Sequence, residues 1–163
     1  MTLHDEDAYR EELDEVIEAR LRALGTRTPR CRVPGCPEED PLALTGVHPD
    51  EMCQEHLADA RGKGWLDSHH AAGRSNDPAT VAIPANDHAR ISHGYQALWP
   101  RETLRNPDGS PLLRAAAAIR GWLDVLRLML DHTIAWIPGF LETLDAWLLE
   151  TIGPGWWQQM GGG

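Results

Sequence analysis

Three cysteines and a histidine fall into two pairs, Cys31 with Cys36 in CRVPGC and Cys53 with His56 in CQEH. Thiolate and imidazole are donors that zinc favours, and two closely spaced pairs on tight turns supply a tetrahedron of ligands without strain. All three cysteines of the chain belong to this set, so no thiol is left over. An odd number of cysteines suits a metal site better than a disulfide framework. Four protein ligands leave no open position, so a Cys3His zinc would be architectural, not catalytic. His48 is the alternative fourth ligand should His56 face away.

A second group of imidazoles follows. His69 and His70 are adjacent, and His88 comes after an intervening turn and apolar run. An imidazole near neutral pH can take a proton from water or hold a divalent ion. Neighbours on a strand point to opposite faces, so His69 and His70 would divide these roles, without the sequence saying which takes which. Asp67 is placed to accept a hydrogen bond from a ligand imidazole. His93 lies five residues after His88, about 140° around an α-helix, so it should face elsewhere.

The stretch DSHHAAGRSNDPATVAIPANDHARIS resembles the HNH endonuclease family in its His69-His70 pair, its Gly73-Arg74-x-Asn76 turn, the Val81 to Ile83 run and His88. The preceding cysteine pairs resemble the zinc knuckle of phage and bacterial members, and the likeness spans about residues 31–98. It implies an α+β fold: a small zinc-stabilised ββα-metal domain, here with an N-terminal helix and a C-terminal α-helical hairpin. It further implies His69 as a metal ligand, His70 as general base, His88 as a metal ligand on the helix and Asn76 as the asparagine that orients the base. Asn86 is the alternative for that last role. The implied cofactors are structural Zn²⁺ at Cys31, Cys36, Cys53 and His56, and a catalytic Mg²⁺ or other divalent cation at His69 and His88. The implied activity is metal-dependent hydrolysis of DNA phosphodiesters.

Several elements must position these groups. Residues 5–24 have Leu13, Val16, Ile17, Leu21 and Leu24 at helical spacing, acids in the first turns and Gly25 as a stop. Five prolines make 26–62 mostly irregular, hence in need of a staple. Residues 64–70 and 80–84 read as strands around the turn at 71–78, and a helix is expected from Asn86 to just before Pro100. Residues 1–25 thus form a helix, 26–100 the knuckle and nuclease domain, and 101–111 a linker. The segment 112–157 then reads as an amphipathic hairpin broken at Pro138-Gly139, and 158–163 as a flexible tail. In 112–137, Ile119, Trp122, Leu123, Leu126, Met129 and Leu130 make one apolar stripe.

The net charge of -10 opposes nucleic-acid binding, since cationic side chains supply most affinity for DNA. The charge is uneven, however. Residues 1–19 hold eight acids against one arginine, while 20–105 hold eleven of each sign. A local basic face led by Arg20, Arg22, Arg27, Arg30 and Arg32 is therefore expected. So is a protein partner or a homodimer formed through 112–157 to aid delivery to DNA. Charges in 112–151 interrupt the apolar pattern too often for a membrane span. An acidic start without a signal-peptide pattern fits the cytoplasm of a bacterial or phage-infected cell. Two other classes compete with the nuclease. One is a zinc-knuckle adaptor that does not cut, and the other a membrane-acting toxin using 112–157.

Overall fold

In the computed structural model, which describes residues 3–160, α1 (Leu3–Leu24) runs two residues beyond its expected start. It ends where Gly25 takes a left-handed φ of 75° and its amide bonds back to Leu21 O at 3.0 Å. The chain divides into two compact units, Met1–Val125 and Leu126–Gly163.

The loop-rich segment is more ordered than its prolines suggest. β1 (Leu44–Thr45) pairs antiparallel with β2 (Met52–Cys53), and α2 (Gln54–Ala60) follows at once. Leu24, Cys31, Cys36, Leu44 and Cys53 make one buried cluster, with Val33 and Met52 against it. The three thiols are thus part of a small core. Sequence reading missed α2 because its seven residues carry no apolar stripe long enough to register, and none is fully buried.

β3 (Leu66–His69) and β4 (Val81–Pro84) form an antiparallel hairpin in the register Leu66↔Pro84 to His69↔Val81. α3 (Ala85–Arg90) follows directly. The expected helix to residue 99 is shorter as an α-helix: Ile91–Tyr95 widen into a π-helical turn and Gln96–Leu98 tighten into a 3₁₀ turn before Pro100. Strand, strand, helix is nonetheless the order expected from the sequence. The larger molecule is mixed helix with two two-stranded sheets.

The region expected to link domains is itself folded. α4 (Arg101–Arg105) is followed by Asn106 at φ 40°, and Thr103 and Asn106 are buried. The part of α5 (Pro111–Thr133) that lies in the first unit, residues 111–125, packs there by a face the sequence did not advertise. The large apolar residues Ile119, Trp122, Leu123, Leu126, Met129 and Leu130 are all more than half exposed, whereas Ala117, Gly121, Asp124 and Val125 are buried. Gly121 explains the choice. A Cβ there would lie 1.7 Å from Ala71 O, so only a residue without one permits this approach. Trp99 joins Ala72 and Ala117 in the resulting cluster and donates from Nε1 to Asp124 Oδ2 at 2.9 Å.

In the second unit, α6 (Trp136–Thr151) runs through Pro138 and Gly139, and the break comes earlier, at residues 134–135. Pro138 is the third residue of α6, where an amide has no intrahelical acceptor to lose, so the expected interruption becomes part of a helix start. Trp156 and Trp157 open α7 (Trp156–Met160), and Trp156 Nε1 donates to Asp145 Oδ1 at 3.0 Å. The remainder of the expected flexible tail, 161–163, lies outside the described residues. No helix among the described residues is long and apolar enough to cross a membrane.

Candidate functional site

The two cysteine pairs converge. The ligand atoms of Cys31, Cys36, Cys53 and His56 all lie within 4.8 Å of one another, close enough to bind a metal ion. Zinc bonds of about 2.3 Å to sulfur and about 2.0–2.1 Å to nitrogen imply tetrahedral edges of roughly 3.8 Å between sulfurs and roughly 3.6 Å from sulfur to nitrogen. Observed edges are 4.0 Å for Cys36 Sγ to Cys53 Sγ, 3.6 Å for Cys31 Sγ to His56 Nδ1 and 3.0 Å for Cys53 Sγ to His56 Nδ1. The donor set therefore fits zinc. Burial raises the Cys53 thiol to about 12, with its neighbour Cys31 adding to the shift. Burial also acts to raise Cys31, but donation from the backbone amide of Cys53 and a backbone contact at Val33 outweigh it and leave that thiol below its usual value. His48, the alternative ligand, instead faces Glu51 Oε1 at 2.9 Å from its Nδ1.

A polar clamp absent from the sequence reading ties this loop to α3. The Arg90 guanidinium donates through Nε to Asp40 at 2.8 Å, through one terminal nitrogen to Asp87 at 2.7 Å, and through the other to both oxygens of Glu38 at 2.7 Å. Asn86 Nδ2 donates to the same Glu38 at 2.9 Å, and the Glu55 amide donates to Asn86 Oδ1 at 3.1 Å. Asn86, the alternative orienting asparagine, is thus engaged between α3 and the zinc loop. An i,i+3 Asp87–Arg90 pair was legible in principle; the partners 50 and 52 residues away were not.

The histidines divide as the strand geometry demands. His69 ends β3 with 1% exposure, its ring edge-on to His88 with centroids 5.1 Å apart. Its Nε2 is buried with no hydrogen-bond partner. Burial first, then the neighbouring His88 and His70, pull its pKa down to about 4, so the ring is neutral at physiological pH. His88 Nδ1 sits 2.6 Å from Asp67 Oδ2. That hydrogen bond, opposed by partial burial, holds Asp67 below the usual carboxylate range; the carboxylate accepts from His88 Nδ1, which fixes that ring's orientation.

His70 points elsewhere. Its Nδ1 lies 3.2 Å from the Asp77 carbonyl, which can only accept, so the proton belongs on Nδ1 and Nε2 is free. The loop after His70 is held by Gly73, whose φ of 77° suits glycine, and by Asn76. The buried Asn76 amide donates to Ala72 O at 3.1 Å and Thr103 O at 2.9 Å, and its Oδ1 accepts from Asn106 at 3.0 Å. Asn76 thereby ties the histidine loop to the α4 region. His93 Nδ1 faces Leu42 O at 3.2 Å. The π-helical turn nevertheless lets it line the same cleft as His88 and Asp67, which an α-helical projection does not anticipate.

The expected basic face does not form as drawn. Arg20 donates to the carbonyls of Pro41 and Leu44, Arg27 pairs with Glu18, Arg30 with Glu39 and Arg32 with Asp50. Each spends its charge or its donors locally. Only Arg22 of the five has no such partner among the described residues.

Comparison with known protein families, with curated proteins and with solved structures finds no match for this chain.

Proposed function

We propose that the chain is a metal-dependent DNA endonuclease of the HNH type, its ββα-metal unit being β3, β4 and α3. One observation carries the reading: a buried His69 Nε2 without a partner lies beside a His88 ring whose Nδ1 is fixed by Asp67, next to a His70 whose Nε2 is free. Buried polar atoms are almost always satisfied, so an orphan imidazole nitrogen beside a second imidazole supports a site for a cation.

His69 and His88 would hold the ion. When bound, Mg²⁺ or a similar divalent ion supplies positive charge against the phosphate and the departing 3′-oxygen. His70 accepts the proton of the attacking water at Nε2, the water oxygen bonds to phosphorus, and the bond to the 3′-oxygen breaks, that oxygen taking a proton from solvent. The products carry 5′-phosphate and 3′-hydroxyl ends. Asn76 keeps the His70 loop in place. Zinc at Cys31, Cys36, Cys53 and His56 is structural, and cysteines that serve as metal ligands and form no disulfide suit the reducing cytoplasm of a bacterial or phage-infected cell.

The exposed apolar residues of α5 and α6, among them Trp122, Trp136, Phe140 and Trp147, support docking of a protein partner or a second copy. The acidic balance and the spent arginines favour a second reading, a zinc-knuckle adaptor that binds without cutting.

Plasmid nicking with Mg²⁺ or Mn²⁺ separates the two. Native protein nicks, and His70→Ala nicks at least about a hundredfold more slowly while keeping stoichiometric zinc and its thermal midpoint. A native protein that never nicks leaves the adaptor. Unchanged activity in His70→Ala removes the base assignment.

A further inference from the structure

With the leading arginines neutralised, the question is where a polyanion could be gripped near the histidines. A cleft of about 320 Å³ runs between α2 and α3, and its lining includes Gln54, Arg61, Lys63, Asp67, His88 and His93. It therefore shares two residues with the histidine corner. Arg61 and Lys63 are exposed, and their side chains make no hydrogen bond or close ion pair among the described residues, although the Lys63 charge is near enough to Asp67 to help hold that carboxyl low. Lys63 is the sole lysine of the chain.

Their placement is fixed by the end of α2. Arg61 is its C-cap, Gly62 follows with φ 68°, and Lys63 comes next. The Lys63 amide donates to Ala58 O at 2.8 Å and the Gly62 amide to Asp59 O at 2.8 Å. This paired pattern is a Schellman cap, so both cations leave a fixed backbone and not a loose loop. Leucine and alanine side chains of α2, β3 and α3 complete the lining. A cleft with cations above an apolar floor matches a sugar–phosphate chain, whose phosphates are charged and whose deoxyriboses are largely apolar.

We propose that this cleft seats the phosphodiester backbone of a DNA strand, with Arg61 and Lys63 each neutralising a phosphate neighbouring the one at the histidine corner. The inference rests on the nuclease reading for the identity of the polyanion. Arg61 and Lys63 are distinct from the proposed base and ligands, although His88 lines the cleft as well.

The test is fluorescence anisotropy of a labelled DNA duplex with the full-length protein, zinc retained and no Mg²⁺, across a series of salt concentrations. Arg61→Gln/Lys63→Gln binds about tenfold more weakly at low salt, and the slope of log K against log salt falls by about 1 for each lost contact. Arg101→Gln/Arg105→Gln, which removes two cations outside the cleft, keeps the native slope. Zinc content and thermal midpoint are measured for every variant, and the single variant Lys63→Gln, expected to lose one unit of slope, repeats the test with less disturbance of the cap.

A native slope in the cleft variant, a loss confined to the Arg101/Arg105 variant, or no binding by native protein overturns the proposal. The nicking assay is scored separately. If His70→Ala fails to impair nicking while the cleft variant loses its slope, the mechanism is wrong and the cleft stands. If native nicking is intact and the cleft variant nicks with unchanged KM, the cleft is wrong and the nuclease stands.

Discussion

Replacing Arg90 by alanine should cost this protein more stability than any other single loss of charge. Four hydrogen bonds at 2.7–2.8 Å join its guanidinium to Asp40, Asp87 and Glu38. The side chains are 16% exposed for Arg90, 11% for Glu38 and 15% for Asp87, so water replaces little of what is removed. Truncation leaves three carboxylates facing one another, with Asn86 Nδ2 and the Asp40 amide still donating to Glu38 but no cation among them. Breaking a buried pair in this way costs about 3–5 kcal/mol, because the stranded charges dominate. Arg90→Lys restores little, since an ammonium cannot present a planar fork to three acceptors. Because Glu38 and Asp40 belong to the zinc loop and Arg90 to the helix carrying His88, the same variant should bind zinc more weakly. Guanidinium denaturation with zinc present gives the stability, and chelator competition gives the metal affinity. Conversely, zinc removal should raise hydrogen exchange across Ala85–Arg90. A loss under about 1 kcal/mol, or full rescue by lysine, would refute the clamp as described.

Two further outcomes follow from packing and from titration. Gly121→Ala forces a Cβ to 1.7 Å from Ala71 O, so α5 must shift; we expect a loss of about 3 kcal/mol or more, read as a lower thermal midpoint, whereas Ala116→Gly in the same helix costs about 1 kcal/mol or less. His69 has a folded pKa of about 4 against an ordinary 6.5, so the unfolded chain binds the proton more tightly and stability is lost as pH falls through the interval from about 6.5 to 4. With no divalent ion but zinc, native protein should lose about 2 kcal/mol more between pH 7 and 5 than His69→Gln, measured from urea midpoints; equal losses would mean that the imidazole is not held neutral.

The sequence alone determined the elements whose signal is local. α1 declares itself by apolar spacing and a glycine stop, β4 by β-branched residues after a turn-rich stretch, and the Cys3His group by two short spacings that a metal must unite. His69, His70 and His88 were legible as residue types suited to one corner, and the strand alternation already required the adjacent pair to part. Tertiary structure decided what depends on partners distant in the chain. Arg20, Arg27, Arg30 and Arg32 look free in a string of letters but meet carbonyls or acids only when the loops fold. Arg90 becomes a clamp because Glu38 and Asp40 are brought to it across half a hundred residues. The docking face of α5 followed neither hydropathy nor helical moment: a backbone carbonyl needs room, and Gly121 gives it, which leaves the larger apolar side chains outside. Periodicity records how greasy a face is; steric fit between two backbones is recorded nowhere until both are in place.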